Sequence, residues 1–209
     1  MAVMETNAMQ SRGRPQPGRP REFDVDKALD QAIAVFSSRG FAATSIKDLT
    51  VTLKLTSGSL YKAYGDKRGL FLAALDRYIQ RREARLSEQL ADVRSGRQRV
   101  EVVLRAYAED SHGERGHTGC MVVGSIVEFA SWDAELGRRL SRRLDALEAR
   151  LRRFIEEGRE DGSIARSVDA PATARALVCL LQGMRVVGKT GQSKREMDEV
   201  ALTALRLLD

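Results

Sequence analysis

Apolar residues recur at every third or fourth position through much of this chain, as expected of helices that bury one face. The clearest series is Leu136, Leu140, Leu144, Leu147, Leu151 and Phe154. Leu, Ala, Arg and Glu dominate, only 5% of the residues are aromatic, and no alternating run rich in Val, Ile and Thr indicates a strand. The sequence therefore predicts an all-α protein.

Capping signals predict two short helices near the start of the chain. Asp24 and Asp26 place acid at the amino end of the first helix, and Gly40 closes it. Ser45 and Asp48 then have the form of a capping box, a hydroxyl followed three residues later by an acid, which opens the second helix.

The segment LTSGSLYKAYGDK, residues 55–67, has too few apolar side chains for a well-packed helix. Thr56 can cap a third helix here, and Gly65-Asp66 can end it and begin a fourth. Two short helices joined by a turn, the second with a polar face, form the helix-turn-helix pattern of DNA-binding proteins. From periodicity alone, a solvated helical hairpin is the alternative.

A recognition helix binds phosphate through hydroxyls and backbone N–H groups at its amino end, and its exposed side chains reach base edges. Glycine lets the backbone approach the duplex closely. On these grounds the predicted DNA-binding residues are Thr56, Ser57, Gly58, Ser59, Tyr61 and Lys62, with Thr44, Ser45 and Lys67 on flanking phosphates.

The distribution of charge supports a polyanionic partner. The formal net charge is +6, and residues 1–68 hold 11 Lys and Arg against 7 Asp and Glu. Residues 1–22 are expected to form a flexible basic arm, whose Arg19 and Arg21 can enter the minor groove beside the helix-turn-helix. Disordered surface charge is the alternative for this arm.

With these motifs in place, residues 19–75 resemble the TetR family of bacterial transcriptional regulators. The matching positions are Gly40-Phe41, Ala43, Thr44-Ser45, Ile46, Asp48-Leu49, Ser59-Leu60-Tyr61, Tyr64 and Lys67. The resemblance implies a regulator, most simply a repressor, that leaves a palindromic double-stranded DNA operator when an unknown small-molecule effector binds. One departure is Lys54, where the family usually has glycine; it must take a left-handed conformation or reshape the turn.

The resemblance also implies the domain organisation. Residues 23–68 would be the helix-turn-helix DNA-binding domain, and residues 69–209 a helical domain for effector binding and dimerisation. The last two helices would form the homodimer interface, with Leu177, Leu181, Met184, Ala201, Leu205 and Leu208 as candidates; packing within one subunit is the alternative. The effector-pocket candidates are Tyr107, Cys120, Met121, Gly124, Phe129 and Trp132.

Cys120 supports a second hypothesis. At a helix amino terminus, with Arg115 and His117 nearby, its thiol pKa would fall, which suits a sensor of electrophiles or oxidants. The alternative is a small buried hydrophobe, as is expected of Cys179 inside an apolar run.

Other classes of function find less support in the sequence. An enzyme with Cys120 as nucleophile and His117 as base lacks an orienting third group and any cofactor loop, so no enzymatic activity and no cofactor are expected. His112, His117 and Cys120 are too few ligands for a structural zinc site, so no metal is expected. With two cysteines, no leader-like amino terminus and no apolar run of membrane-spanning length, a cytoplasmic protein without membrane contact is expected.

Overall fold

The computed structural model describes residues 24–131 and 133–209. The predicted all-α fold is confirmed, and the described residues contain no strand. The α-helices are α1 (Val25–Arg39), α2 (Ile46–Leu53), α3 (Ser57–Tyr64), α4 (Lys67–Leu90), α5 (Gly96–Glu109), α6 (Gly113–Thr118), α7 (Met121–Phe129), α8 (Ala134–Asp161), α9 (Ala170–Val187) and α10 (Lys194–Ala204). Short 3-10 turns follow α9 and α10 at Gly188–Thr190 and Leu205–Leu208.

The predicted caps account for where the first three helices begin. The Asp24 carboxylate accepts the N–H of Lys27 at 3.0 Å. Ser45 and Asp48 form the predicted reciprocal capping box, and Thr56 Oγ1 accepts the N–H of Ser59 at 3.1 Å. Local chemistry therefore sets the boundaries of α1, α2 and α3 before any tertiary contact is considered.

Lys54 has a left-handed backbone, which is the first of the two outcomes expected where the glycine is missing. Its φ is 53° and its ψ is 39°, and it is the single non-glycine residue with positive φ among the described residues. Lys54 is the C-cap of α2, and its N–H donates a hydrogen bond to the carbonyl of Thr50. The turn between α2 and α3 thus keeps its shape at a conformational cost.

We therefore expect Lys54→Gly to raise the free energy of unfolding by about 0.5–1 kcal/mol. Glycine removes a left-handed penalty of about 1–2 kcal/mol but adds entropy to the unfolded chain, which cancels part of the gain. Urea denaturation measures this difference. Lys62→Gly, in the interior of α3, is the matched control and should destabilise by about 1 kcal/mol.

Two hydrophobic clusters organise the molecule. The first, called here the head core, joins α1–α3 to the first half of α4 and includes Phe36, Leu49, Leu60 and Phe71. It also takes in residues of α7 and the start of α8. The second, the body core, packs α5, α8, α9 and α10 around the second half of α4. The domain boundary predicted at residue 68 falls at the start of α4, a helix that both cores share.

Residues 113–118 lie in the polar, glycine-rich stretch EDSHGERGHTG and form the short helix α6. Gly116 packs against the backbone of Ser111 and Gly188, where a Cβ would lie 2.7 Å from the Ser111 carbonyl oxygen. Glycine at this position thus permits close packing of α6.

The predicted dimer-interface residues pack within the subunit. Leu177, Leu181, Met184, Ala201 and Leu208 are buried in the body core, and Leu205 is half-buried against it. This corrects the prediction that these side chains are free to meet a partner. Cys179, expected in the core, is exposed, because α9 is apolar on two faces and its inner face is the one that carries Leu177 and Leu181.

None of the described helices combines the length and the apolar character that crossing a membrane requires.

Candidate functional site

Helix α3 presents a polar face to solvent. Leu60 is its one buried residue and anchors it on the head core. Ser57, Gly58 and Lys62 are exposed, and 47% of Tyr61 is exposed. A Cβ added to Gly58 would meet nothing closer than 3.9 Å, so this part of the surface is open. Two hydroxyls, one ammonium and a bare backbone therefore point away from the protein, as a recognition helix requires.

Three of the predicted hydroxyls also stabilise helix termini. Thr56 Oγ1 lies 3.0 Å from Ser59 Oγ, and both groups belong to the α3 cap. Ser45 Oγ donates to the Asp48 carboxylate at 2.6 Å. These side chains lie at the surface, and their contacts with phosphate remain predictions.

Thr44 and Lys67 have different roles from those predicted. Thr44 is buried, and its hydroxyl donates to the carbonyl of Gly40 at 2.6 Å, so its side chain does not reach a phosphate. The Lys67 ammonium donates to the carbonyls of Phe41 and Thr44 at 3.0 and 2.9 Å and lies over the Phe41 ring. Both residues hold the α1–α2 turn in place, which corrects their assignment as phosphate contacts.

Two exposed lysines extend the positive surface beyond the predicted residues. Lys47 lies in the first turn of α2, and Lys54 occupies the turn before α3. Neither was predicted to bind DNA, although their charge next to a helix-turn-helix motif was the available signal.

Polar contacts attach the DNA-binding head to the rest of the molecule. The Glu128 carboxylate in α7 accepts the N–H groups of Phe41 and Ala42 at 2.8 and 2.5 Å. Arg68 donates to Asp133 at 2.8 Å, and the N–H of Leu136 together with this pairing lowers the pKa of Asp133. The α1–α2 turn and the start of α4 are therefore tied directly to α7 and α8.

The predicted effector-pocket residues do not lie around one cavity. Tyr107 and Cys120 line a small cavity of about 60 Å³ between α4, α5, α7 and α8. Met121 and Phe129 belong instead to the head core, and Gly124 is exposed. The prediction is therefore wrong for these three, because an apolar helix run gives no sign of which core it joins. Trp132, Arg19 and Arg21 lie outside the described residues.

Cys120 begins α7, as predicted, but its neighbours differ from those expected. Its Sγ is 3.4 Å from the Tyr78 hydroxyl and 3.6 Å from the Arg82 guanidinium. Burial acts to raise the pKa of the Cys120 thiol, but the positive charges of Arg82 and Arg185 prevail and the pKa is lowered. Arg115 and His117 are exposed on α6, and among the described residues His117 makes no hydrogen bond to Cys120.

A second, larger cavity of about 560 Å³ opens between the head and the body. Its wall combines α1 and α4 with α6 and α9, and includes Ser37, Tyr78, Arg82 and Arg185. Small-molecule sites in proteins usually have volumes of about 300 to 1,000 Å³, so this cavity, unlike the first, has room for a ligand. This cavity was not predicted from the sequence, although Arg185 is a charged residue inside the mostly apolar run LLQGMRVV.

Family models match both halves of the chain. The model described as "Bacterial regulatory proteins, tetR family" matches residues 28–74, and "Tetracyclin repressor-like, C-terminal domain" matches residues 96–204. The HTH-type transcriptional repressor ComR of Escherichia coli K12 is 31% identical over 191 residues, which are 91% of either chain. The HTH-type transcriptional repressor BdcR of the same strain is 36% identical over 110 residues, covering 53% of this chain and 56% of BdcR.

A solved structure shows the same fold over nearly the whole chain. A cysteine mutant of the TetR family transcriptional regulator CifR, complexed with 26-bp double-strand operator DNA, has a TM-score of 0.80 and 29% identity. The match covers 92% of this chain and 100% of the other. Together with the α2–α3 geometry and the family models, it shows that the chain is a DNA-binding regulator and belongs to the TetR family of bacterial transcriptional regulators.

Proposed function

We propose that this protein is a homodimeric repressor that binds a palindromic operator through α2 and α3 and releases it when a small-molecule effector binds. The observation that carries the proposal is the outward polar face of α3 on a helix with a single buried anchor, Leu60. The repressor names of ComR and BdcR and the operator complex of CifR support it.

Operator binding by a dimer follows from the geometry of the motif. One α3 reads one half-site in the major groove, and a two-fold partner places a second α3 about 34 Å away, one helical turn along the DNA. Phosphate contacts set the register, and α3 side chains read base edges. Affinity on this basis falls as salt rises.

The direct test uses DNA from upstream of the protein's own reading frame. We expect a gel shift with a sharp footprint over an inverted repeat, and a promoter fusion whose transcription falls when the protein is present. Binding no tighter to this DNA than to a scrambled duplex of the same length would contradict the proposal for this operator region. Rising transcription would make the protein an activator.

The homodimer is proposed from exposed apolar side chains on the last two helices. They are Cys179, Val186 and Val187 on α9, Leu202 on α10 and Leu207 in the turn after α10. Val186 is 53% exposed and Leu207 is 48% exposed. Exposed apolar side chains of this number favour association with a second copy.

We expect Val186→Glu to convert the dimer into a monomer, because it places a charge within an apolar interface. Light scattering coupled to size-exclusion chromatography measures the mass. Val127→Glu is the matched control, since Val127 is 80% exposed on α7, and it should leave the mass unchanged. A wild-type protein that elutes as a monomer would refute this assignment.

A sensor acting through Cys120 is not favoured. The thiol is only 6% exposed, and it packs against Tyr78 and Arg82. A reversibly bound effector requires no access to this sulfur.

A further inference from the structure

We infer that the 560 Å³ cavity between α1, α4, α6 and α9 is the effector site and that it selects a small organic carboxylate. This inference rests on the proposed function, since it names the chemical class of the proposed effector. Three observations support the inference. Two polar groups in the wall have no partner, the wall has an excess of positive charge, and the cavity lies between the head and the body.

The first observation is the state of Arg185. Its side chain is 3% exposed and lines the cavity. One terminal nitrogen donates to the Gly119 carbonyl at 2.8 Å and the other lies 3.4 Å from Ser111 Oγ. Its Nε has no hydrogen-bond partner, and no carboxylate pairs with it, among the described residues. A buried guanidinium without an anion is costly, so the site favours a ligand that brings one.

The second observation lies across the cavity on α1. Ser37 is 7% exposed, lines the same cavity, and its Oγ also has no partner among the described residues. The wall between the two is completed by Tyr78 and Arg82 of α4. Burial and the neighbouring Cys120 raise the pKa of Tyr78 to about 12, so its hydroxyl stays protonated and donates to Cys120 Sγ. Arg185 and Ser37 are therefore the side chains of this wall that hold donors without a partner for an anionic group.

The cavity wall has more positive than negative side chains, which favours an anionic ligand. The five arginines that line the cavity are Arg81, Arg82, Arg85, Arg115 and Arg185, and the three acids are Asp30, Asp110 and Glu114. Arg81 pairs with Asp30, and Arg85 makes two contacts of 2.8 Å with Asp110, which also lies 3.4 Å from Arg82. The Cys120 sulfur accepts hydrogen bonds from Tyr78 and Arg82, and Arg185 makes no hydrogen bond to it among the described residues. Arg115 pairs with Glu109, which lies outside the wall, at 3.4 Å. Arg185 is therefore the one of the five arginines that pairs with no carboxylate among the described residues, which suits an anionic ligand.

The cavity lies where a bound ligand would contact both the DNA-binding head and the body. Ser37 and Ile33 belong to α1 of the DNA-binding head, whereas Gly119 and Arg185 belong to the body. A carboxylate bound between them fixes the distance from α1 to α9. If that distance differs from the one that fits two half-sites, the ligand lowers operator affinity. Ile33 and Ala34 in the wall provide apolar contact for the rest of the molecule.

The experiment uses benzoate and its neutral counterpart benzamide as probes on the full chain, without DNA, by isothermal titration calorimetry. We expect benzoate to bind at least 10-fold more tightly than benzamide. Arg185→Gln should lower benzoate affinity at least 10-fold, whereas Arg206→Gln, which removes the same charge from an exposed turn, should not. Equal binding of benzamide, unchanged affinity in Arg185→Gln, or no benzoate binding at all would each overturn the inference.

Two further measurements test the site if Arg185→Gln is unstable and test the choice of a carboxylate. If Arg185→Gln does not fold, Ser37→Ala replaces it and should weaken benzoate binding about 10-fold, since one hydrogen bond to a charged carboxylate is lost; unchanged affinity would count against the site. Inorganic phosphate is the other anion, and equal or tighter phosphate binding would overturn the choice of a carboxylate. Because no DNA is present, a negative result here leaves operator binding intact, and a failed gel shift leaves this binding test intact.

Discussion

Replacing Tyr61 and Lys62 together by alanine is expected to lower operator affinity at least about 100-fold. Each side chain projects from α3 into solvent and makes no hydrogen bond to the described part of the protein. A side chain that contacts a base or phosphate contributes about 1–3 kcal/mol, and a dimer loses each contact twice. A loss of about 2.7 kcal/mol is already 100-fold.

The two single variants should differ in how their operator affinity depends on salt. Lys62→Ala removes a charge, so we expect the dependence of log affinity on log salt to become shallower by about one for each protomer. Tyr61→Ala should lower affinity without changing that slope. Fluorescence anisotropy with a labelled operator, at several salt concentrations, measures both effects.

Lys194→Ala is the matched control, because it removes an exposed lysine, 62% exposed, at the start of α10. It should bind DNA as wild type does. If the double variant also binds with wild-type affinity while its circular dichroism is unchanged, α3 is not the recognition helix.

Local signals in the sequence predicted the helices of the head well. Caps such as Ser45 with Asp48 and Thr56 with Ser59 involve residues only three apart, so chain order contains the whole interaction. The glycine missing at Lys54 likewise indicated, from a single position, either a left-handed residue or a reshaped turn, and the residue is left-handed. Where the physics is local, the sequence is sufficient.

The tertiary roles of individual side chains were harder to predict. Lys67 contacts carbonyls 23 and 26 residues away, and Thr44 turns inward to Gly40, so neither points to DNA as its charge or hydroxyl suggested. On α9, Leu177 and Cys179 differ by two positions and lie on opposite faces. Apolar spacing shows that a helix has such faces, but not which of them meets the body core.

The cavity proposed as the effector site could not be predicted from the sequence for a related reason. Ser37 and Arg185 are 148 positions apart, and nothing in either neighbourhood indicates the other. The signal that existed was a charged residue within an apolar helix, which costs free energy unless the fold uses it. Such local contradictions are useful markers of function, because a structural helix has no reason to contain them.

The second large effect concerns the aromatic centre of the head. We expect Phe71→Ala to lower the free energy of unfolding by about 3–5 kcal/mol, the usual range for deleting a buried phenylalanine. Phe71 is 2% exposed, and its ring lies 5.1 Å from those of Phe36 and Phe129 and 5.2 Å from that of Phe41. Phe41 also contacts the three other rings of this cluster, but it is only half-buried, whereas Phe71 is buried.

Urea denaturation at a fixed protomer concentration measures the loss, since unfolding of a dimer depends on concentration. Phe71→Leu is the matched control: it keeps most of the volume and should cost at most about 1.5 kcal/mol. Phe41 begins the turn held by Glu128 and Lys67, and Phe129 ends α7, so the cavity left by alanine lies where the head meets the body. We therefore expect Phe71→Ala to weaken operator binding as well, although Phe71 is buried and cannot touch DNA. A variant that loses less than about 1 kcal/mol would show that α1, α4 and α7 repack around the missing ring, and that the attachment of the head depends on its polar contacts instead.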